Sequence, residues 1–193
     1  MATHNQDAFE ILKAELGVNP RPLVLDSFCG TGHSTMALAL THPKHLVVGV
    51  DKSSHRLAKT PESTAPNALL LQAECEDIWR LLVQEKLSVE HHYLLYPNPW
   101  PKSAQLQRRI HGNSGFASLL ALGGNIELRS NWQIYVEEFG LAMFLAGHMG
   151  QVLKIQPEQP LTLFERKYQA SGHDLWGYHG RIDSTSSRVT DTT

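Results

Sequence analysis

The chain has 193 residues, 41% apolar and 19% charged, with a formal net charge of −2. That length and composition predict one globular domain with a sizeable core, and the charge excludes a protein that coats nucleic acid by bulk positive charge while leaving room for a local basic patch. No run reaches the roughly eighteen apolar residues of a membrane span.

The first residues show no secretory leader pattern, and the two cysteines, Cys29 and Cys75, frame no disulfide network, so a cytoplasmic setting is expected. Asp7 to Leu16 places Phe9, Leu12 and Leu16 at helical spacing and stops at Gly17. An apolar run closing at Asp26 predicts a first strand, Gly30-Thr31-Gly32 a tight turn, and His33 to Leu40 a helix. Leu46 to Val50 predicts a second buried strand, ending at Asp51 and followed by a polar helix. Ala68 to Leu71 predicts a third strand, and Glu74 to Gln84 a helix.

Tyr93 to Tyr96 predicts the fourth strand, which runs into Pro97-Asn98-Pro99-Trp100-Pro101-Lys102. Beyond it, Gly115 to Ala121 reads as helix and Asn125 to Leu128 as a fifth strand. Asn131 to Ala146 reads as a long amphipathic helix, and Gln151 to Ile155 as another strand. His173 and His179 fall in a C-terminal strand region. Strands alternating with helices predict an α/β fold: a Rossmann-like, mostly parallel sheet with helices on both faces. A single domain is expected over residues 1–183, with the polar residues 184–193 as a tail that buries nothing. Eleven histidines form no His-x3-His or His-Glu-x-x-His array, and no metal is assigned.

Two features carry chemistry. The first is Asp26-Ser27-Phe28-Cys29-Gly30-Thr31-Gly32, with Asp51 ending strand two and Glu74 following strand three. Glycines at a strand-to-helix turn let a ligand approach the backbone, and an acid ending the second strand can take the two hydroxyls of a ribose. A dinucleotide turn asks for a third glycine where Thr35 stands, so the acid-first pattern favours S-adenosylmethionine, whose cationic end suits Asp26; Glu74 could accept from the adenine amine. The second feature is the proline loop. Three prolines in five positions stiffen the chain as it leaves a buried strand, where open α/β sheets bind their ligands. An amide, an indole and an ammonium on that loop suit a flat polar substrate.

At these residues the chain resembles the S-adenosylmethionine-dependent tRNA (guanine-N7)-methyltransferases, which carry Pro-Asp-Pro-Trp-Pro-Lys after strand four and then a basic run ending in Arg-Arg, here Arg108-Arg109. Their Thr-Asp-Trp after strand five is similar to Ser130-Asn131-Trp132, and their Thr-x-Phe/Tyr-Glu to Thr162-Leu163-Phe164-Glu165. The resemblance spans Leu23 to Tyr178. It implies cofactor contacts from Asp26, Asp51, Glu74 and Asn98, with Gly30 and Gly32 as the floor. Asn98 would be the catalytic position between cofactor and base, and Lys102, Arg108, Arg109, Asn131, Thr162, Phe164 and Glu165 the substrate contacts. It further implies RNA as partner, most of all tRNA, and a monomer or homodimer away from membranes. The chain departs from the pattern at Asn98 and Asn131, where the family has aspartate, at Phe28, where it has glycine, and in the thinned run Ser103 to Gln107. Two alternatives stay open. Methyltransferases of exocyclic amines carry an Asn-Pro-Pro-aromatic loop similar to Asn98-Pro99-Trp100, and a non-catalytic paralogue would bind cofactor or RNA without turnover.

Overall fold

The computed structural model describes residues 1–60 and 65–183; the tail expected over 184–193 lies outside the described residues. Helix α1 spans Thr3–Val18 and is followed by β1 (Leu23–Ser27), α2 (His33–Thr41), β2 (Leu46–Asp51), the single turn α3 (Ser54–Leu57), β3 (Ala68–Gln72), α4 (Cys75–Gln84) and β4 (His91–Leu95). After the proline loop come two 3-10 turns, Ser103–Arg108 and Ile110–Gly112, then α5 (Phe116–Ala121), β5 (Gly124–Ser130), α6 (Gln133–Leu145), β6 (Gly150–Ile155), α7 (Leu163–Ala170) and β7 (Leu175–Ile182).

The seven strands form one sheet in the order β3-β2-β1-β4-β5-β7-β6. Strands β1 to β5 pair in parallel, whereas β7 runs antiparallel to both β5 and β6. Every residue of β1 and β2 is buried, as expected of central parallel strands covered by helices on both faces. The chain order reverses between β1 and β4, and the loops at the carboxyl ends of those two strands are the glycine turn and the proline loop. That reversal is where a crevice opens in sheets of this kind.

Gly49, in β2, lets α2 approach closely: a Cβ there would stand 2.2 Å from Thr35 Oγ1 and 2.6 Å from Leu70 Cδ2. The close approach carries the Thr35 hydroxyl to Asp26.

Each expected strand is present within about two residues of its predicted bounds, and α1 is longer than Asp7 to Leu16. Two features differ from expectation. The helix expected as amphipathic over Asn131 to Ala146 carries polar residues only in its first half, at Gln133, Glu137 and Glu138: Tyr135, Val136, Phe139 and Met143 are buried, but Ile134, Leu141, Phe144 and Leu145 are exposed. Helix α7 carries no core-facing apolar stripe, because Leu163 and Phe164 both point outward; Glu165 is the residue it buries. Its signal is the cap instead, with Thr162 Oγ1 accepting the Glu165 N–H at 2.9 Å.

Candidate active site

The glycine turn leaves β1 through Phe28, Gly30 and Gly32, all in the left-handed region (φ 65°, 61° and 75°). Phe28 holds that conformation despite its side chain, because its ring packs edge-on against Trp79 and its N–H donates to Cys75 Sγ at 3.2 Å. A Cβ on Gly30 would meet no atom within 4 Å, so the turn faces open space.

Asp26 is fully buried behind this turn. Its Oδ2 accepts from Ser34 Oγ at 2.6 Å and Thr35 Oγ1 at 2.7 Å, while Oδ1 is buried with no partner. Burial pushes the carboxyl up to about 6 against the two hydroxyl bonds, which favour the charged form. An orphaned buried carboxylate oxygen beneath an open glycine turn fits a cationic ligand. Asp51, also buried, ends β2 as expected, but the protein uses its oxygens: Oδ2 accepts the Gly30 N–H at 3.0 Å, and Oδ1 accepts the Ser53 N–H at 2.8 Å and pairs with Arg56 at 3.0 Å. Asp51 thus pins the turn in shape, and exposed Arg56 is the partner that a ribose could replace. Glu74 caps α4, its backbone N–H bound by the buried Asn5 at 3.1 Å and its carboxylate 3.6 Å from Lys52 Nζ on the surface.

Across the crevice, the proline loop is held from below. Tyr96 and Trp100 both adopt positive φ (54° and 46°), a strained backbone that only surrounding contacts can hold. The Tyr96 N–H donates to the Arg129 carbonyl at 2.8 Å, extending the β4 ladder by one residue. The Tyr96 hydroxyl donates to Glu165 Oε1 at 2.9 Å, which also receives Arg129 Nη1 at 2.9 Å, and Glu165 Oε2 accepts the Leu161 N–H at 2.6 Å. Burial, and then the Glu165 charge, push the Tyr96 phenol far above its ordinary value, so it stays a donor. Asn98 stands exposed at the tip, its Oδ1 accepting the Trp100 N–H at 3.3 Å.

The expected substrate residues divide. Lys102 and Arg108 are exposed, and the Arg108 guanidinium lies 4.9 Å over the Trp100 ring. Phe164 is exposed at the start of α7, stacked on Tyr168, which in turn lies beside Tyr96. Asn131 is half-buried after β5. Two expectations are corrected. Arg109 is buried beneath the loop, donating to the Trp100 carbonyl from Nη2 at 3.1 Å and pairing with Glu138, so it braces the loop and is not presented to RNA. Glu165 is fully buried with both oxygens engaged and acts as a support of the loop, while half-buried Thr162 caps α7. The sequence reading missed Tyr96, Arg129 and Glu138, which complete these supports. Ser34 and Thr35 had a signal, since hydroxyls one turn into a helix can face an acid across a glycine turn.

The orphaned oxygen of Asp26 gives a testable consequence. Its carboxyl titrates higher in the folded chain (about 6) than unfolded (3.8), so its contribution to stability is intact below 3.8 and is lost as pH rises through 6. Asp26→Asn removes that titration. The variant should gain up to about 3 kcal/mol over the natural chain between pH 4 and 8, less the cost of one buried amide N–H. It should also bind the cofactor roughly 10–100-fold more weakly, the loss of one charged contact. Thermal melts across pH, with calorimetric titration of S-adenosylmethionine, check both; parallel melts of the two chains at all pH values would contradict it.

A cavity of about 590 Å³ lined by Val89, Gly124, His148 and Ile182 lies at the opposite, β4 and β5 amino-terminal end of the sheet, remote from these loops.

Known proteins share the sequence pattern and the fold. The chain is 27% identical over 161 residues to the tRNA (guanine-N(7)-)-methyltransferase of Stutzerimonas stutzeri, covering 76% of this chain and 67% of the relative. It is 29% identical over 171 residues to the enzyme of the same name from Sodalis glossinidius, covering 80% and 70%. Among solved structures, the 16S rRNA methyltransferase KamB shares the fold with a TM-score of 0.65 at 20% identity, over 90% of this chain and 94% of that one. A 16S rRNA (adenine(1408)-N(1))-methyltransferase from Catenulisporales acidiphilia shares it at 0.59 and 18%, over 95% and 93%. The family described as "Putative methyltransferase" matches residues 20–178, and the chain belongs to this class I, Rossmann-like methyltransferase family.

Proposed function

We propose that the protein uses S-adenosylmethionine to methylate N7 of a guanine in tRNA. The observation that carries the reading is the pairing of two loops at the β1/β4 reversal: an acid-backed glycine turn, and opposite it a braced proline loop that presents Asn98. The curated relatives bearing the guanine-N7 name supply the substrate class.

When bound, S-adenosylmethionine supplies an electrophilic methyl group on a sulfonium. Asp26, Gly30, Gly32, Asp51 and Glu74 would hold it, Asp26 facing its cationic end and Asp51 its ribose after release from Arg56. Guanine N7 carries a free lone pair and no proton, so the chain needs no general base. Its task is to orient and desolvate the purine. The Trp100 N–H fixes Asn98 Oδ1 and leaves the amide Nδ2 to donate to a purine oxygen. Lys102 and Arg108 supply phosphate contacts, and Phe164 a stacking face. The exocyclic-amine pattern places its aromatic one position later than Trp100 stands here, whereas Pro97, Lys102 and Arg108-Arg109 match the guanine-N7 pattern, so the N7 reading is preferred. The chain works on tRNA in the cytoplasm, as a monomer or homodimer.

Labelled S-adenosylmethionine incubated with total tRNA from cells lacking 7-methylguanosine, followed by nucleoside analysis, tests this. Label is expected in 7-methylguanosine; label in an N6- or N4-methylated base would establish the amine alternative, and cofactor binding without transfer the non-catalytic one.

A further inference from the structure

His42 and His45, three residues apart, meet His91 from much later in the chain at the amino-terminal ends of the strands, at the opposite end of the sheet from the active-site loops. His42 closes α2, His45 precedes β2 and His91 opens β4. One ring nitrogen from each lies within 4.8 Å of the other two, and all three side chains are half-buried. The rings pack at centroid distances of 4.9 Å (His42–His91), 5.3 Å (His42–His45) and 5.8 Å (His45–His91). We propose that His42, His45 and His91 form a zinc site.

The surroundings match what imidazole ligands need. A metal-bound histidine gives its other ring nitrogen to a carboxylate or similar partner, which fixes the ring. Here His45 Nε2 lies 2.9 Å from Glu90 Oε2, and His42 Nε2 lies 2.9 Å from the Tyr93 hydroxyl. His45 Nδ1 is buried with no partner, an orphaned donor or acceptor of the kind a bound ion explains.

The turn that bears two of the ligands is also built to hold them. The His45 N–H donates to the His42 carbonyl at 3.0 Å, with Pro43 between. The buried Asn67 amide donates to the carbonyls of Ala39, His42 and His45 at 3.0, 3.0 and 3.1 Å.

Three nitrogens at 2.0–2.1 Å from a tetrahedral ion stand about 3.3 Å apart, so small ring rotations from the present spacing would close the site, with water in the fourth position. Its remoteness from the Asp26 turn gives the ion a structural role, pinning α2 and β2 to the start of β4. The sequence carries only the His42-x-x-His45 half; the parallel pairing that places His91 beside it exists only in the fold.

The full chain, made without a polyhistidine tag and freed of metal with chelator, tests the site. Titration with zinc sulfate by calorimetry should show one equivalent bound in the micromolar range or tighter, with an upward shift of the melting temperature. His42→Gln and His91→Gln should each weaken binding at least tenfold, while the His173→Gln, His179→Gln double variant binds as the natural chain does. Circular dichroism confirms that each variant is folded. Cobalt loading gives a second readout, with tetrahedral ligand-field bands that vanish in His45→Gln. No saturable binding, or binding and bands that survive all three single substitutions, would overturn the proposal.

Discussion

An Asn98→Asp variant should methylate tRNA about 10²-fold faster than the natural chain at saturating RNA, with little change in the RNA concentration needed for half-maximal rate. Methyl transfer to N7 leaves the guanine cationic, and the charge develops in the transition state. Asn98 sits exposed at the loop tip, where a carboxylate would face that charge and the present amide offers only a dipole. A single preorganised electrostatic contact of this kind is worth about 2.7–4 kcal/mol in other active sites, and access to water places the expectation at the lower end. The substitution preserves shape, and an aspartate oxygen can take the Trp100 N–H as the amide oxygen does. Because the contact exists only as charge develops, turnover should change rather than RNA affinity. Single-turnover kinetics measure it; an unchanged or slower rate would show that Asn98 does not face the reacting base.

Glu165→Ala should cost about 3–5 kcal/mol of stability, the range for breaking a buried ion pair by removing one partner. The residue is fully buried and takes three donors at once: the Tyr96 hydroxyl, Arg129 and the Leu161 N–H. Its removal leaves Arg129, which is 15% exposed, with Glu127 alone, and it frees the phenol that holds the strained Tyr96. For a chain of this size the melting temperature should fall by roughly 10 °C. Methyl transfer should fall further than the folded fraction does, because the proline loop loses its brace. Glu165→Gln keeps an oxygen for Tyr96 and should recover part of both. A Glu165→Ala melt within 2 °C of the natural chain would contradict the brace (about 2–4 °C corresponds to 1 kcal/mol).

What the sequence disclosed, and what it withheld, follows from the range of the forces involved. Strands β1 to β3 were legible because each is a short apolar run ended by a polar or acidic residue, a local signal. The acid-backed turn was legible for the same reason, since Asp26, Gly30 and Gly32 lie within one loop. Arg108 and Arg109 show where local reading ends. The two are adjacent and identical, yet one stacks in the open on Trp100 and the other turns beneath it toward Glu138, a partner 29 positions away that no spacing rule indicates. Glu165 of α7 has the same cause, being paired inward with Arg129 of β5. Helix α7 escaped notice because its apolar residues face outward, and the antiparallel insertion of β7 between β5 and β6 depends on pairing rather than composition.

The central claim is that the nucleophile is N7 of a guanine in tRNA. Labelled methyl transfer to a tRNA transcript, compared with the same transcript made with 7-deazaguanosine in place of guanosine, tests it most directly. The account predicts label on the first and none on the second, since the replacement removes the lone pair at position 7 and leaves the amines in place. Equal labelling of the two transcripts, or none on the first, would contradict it.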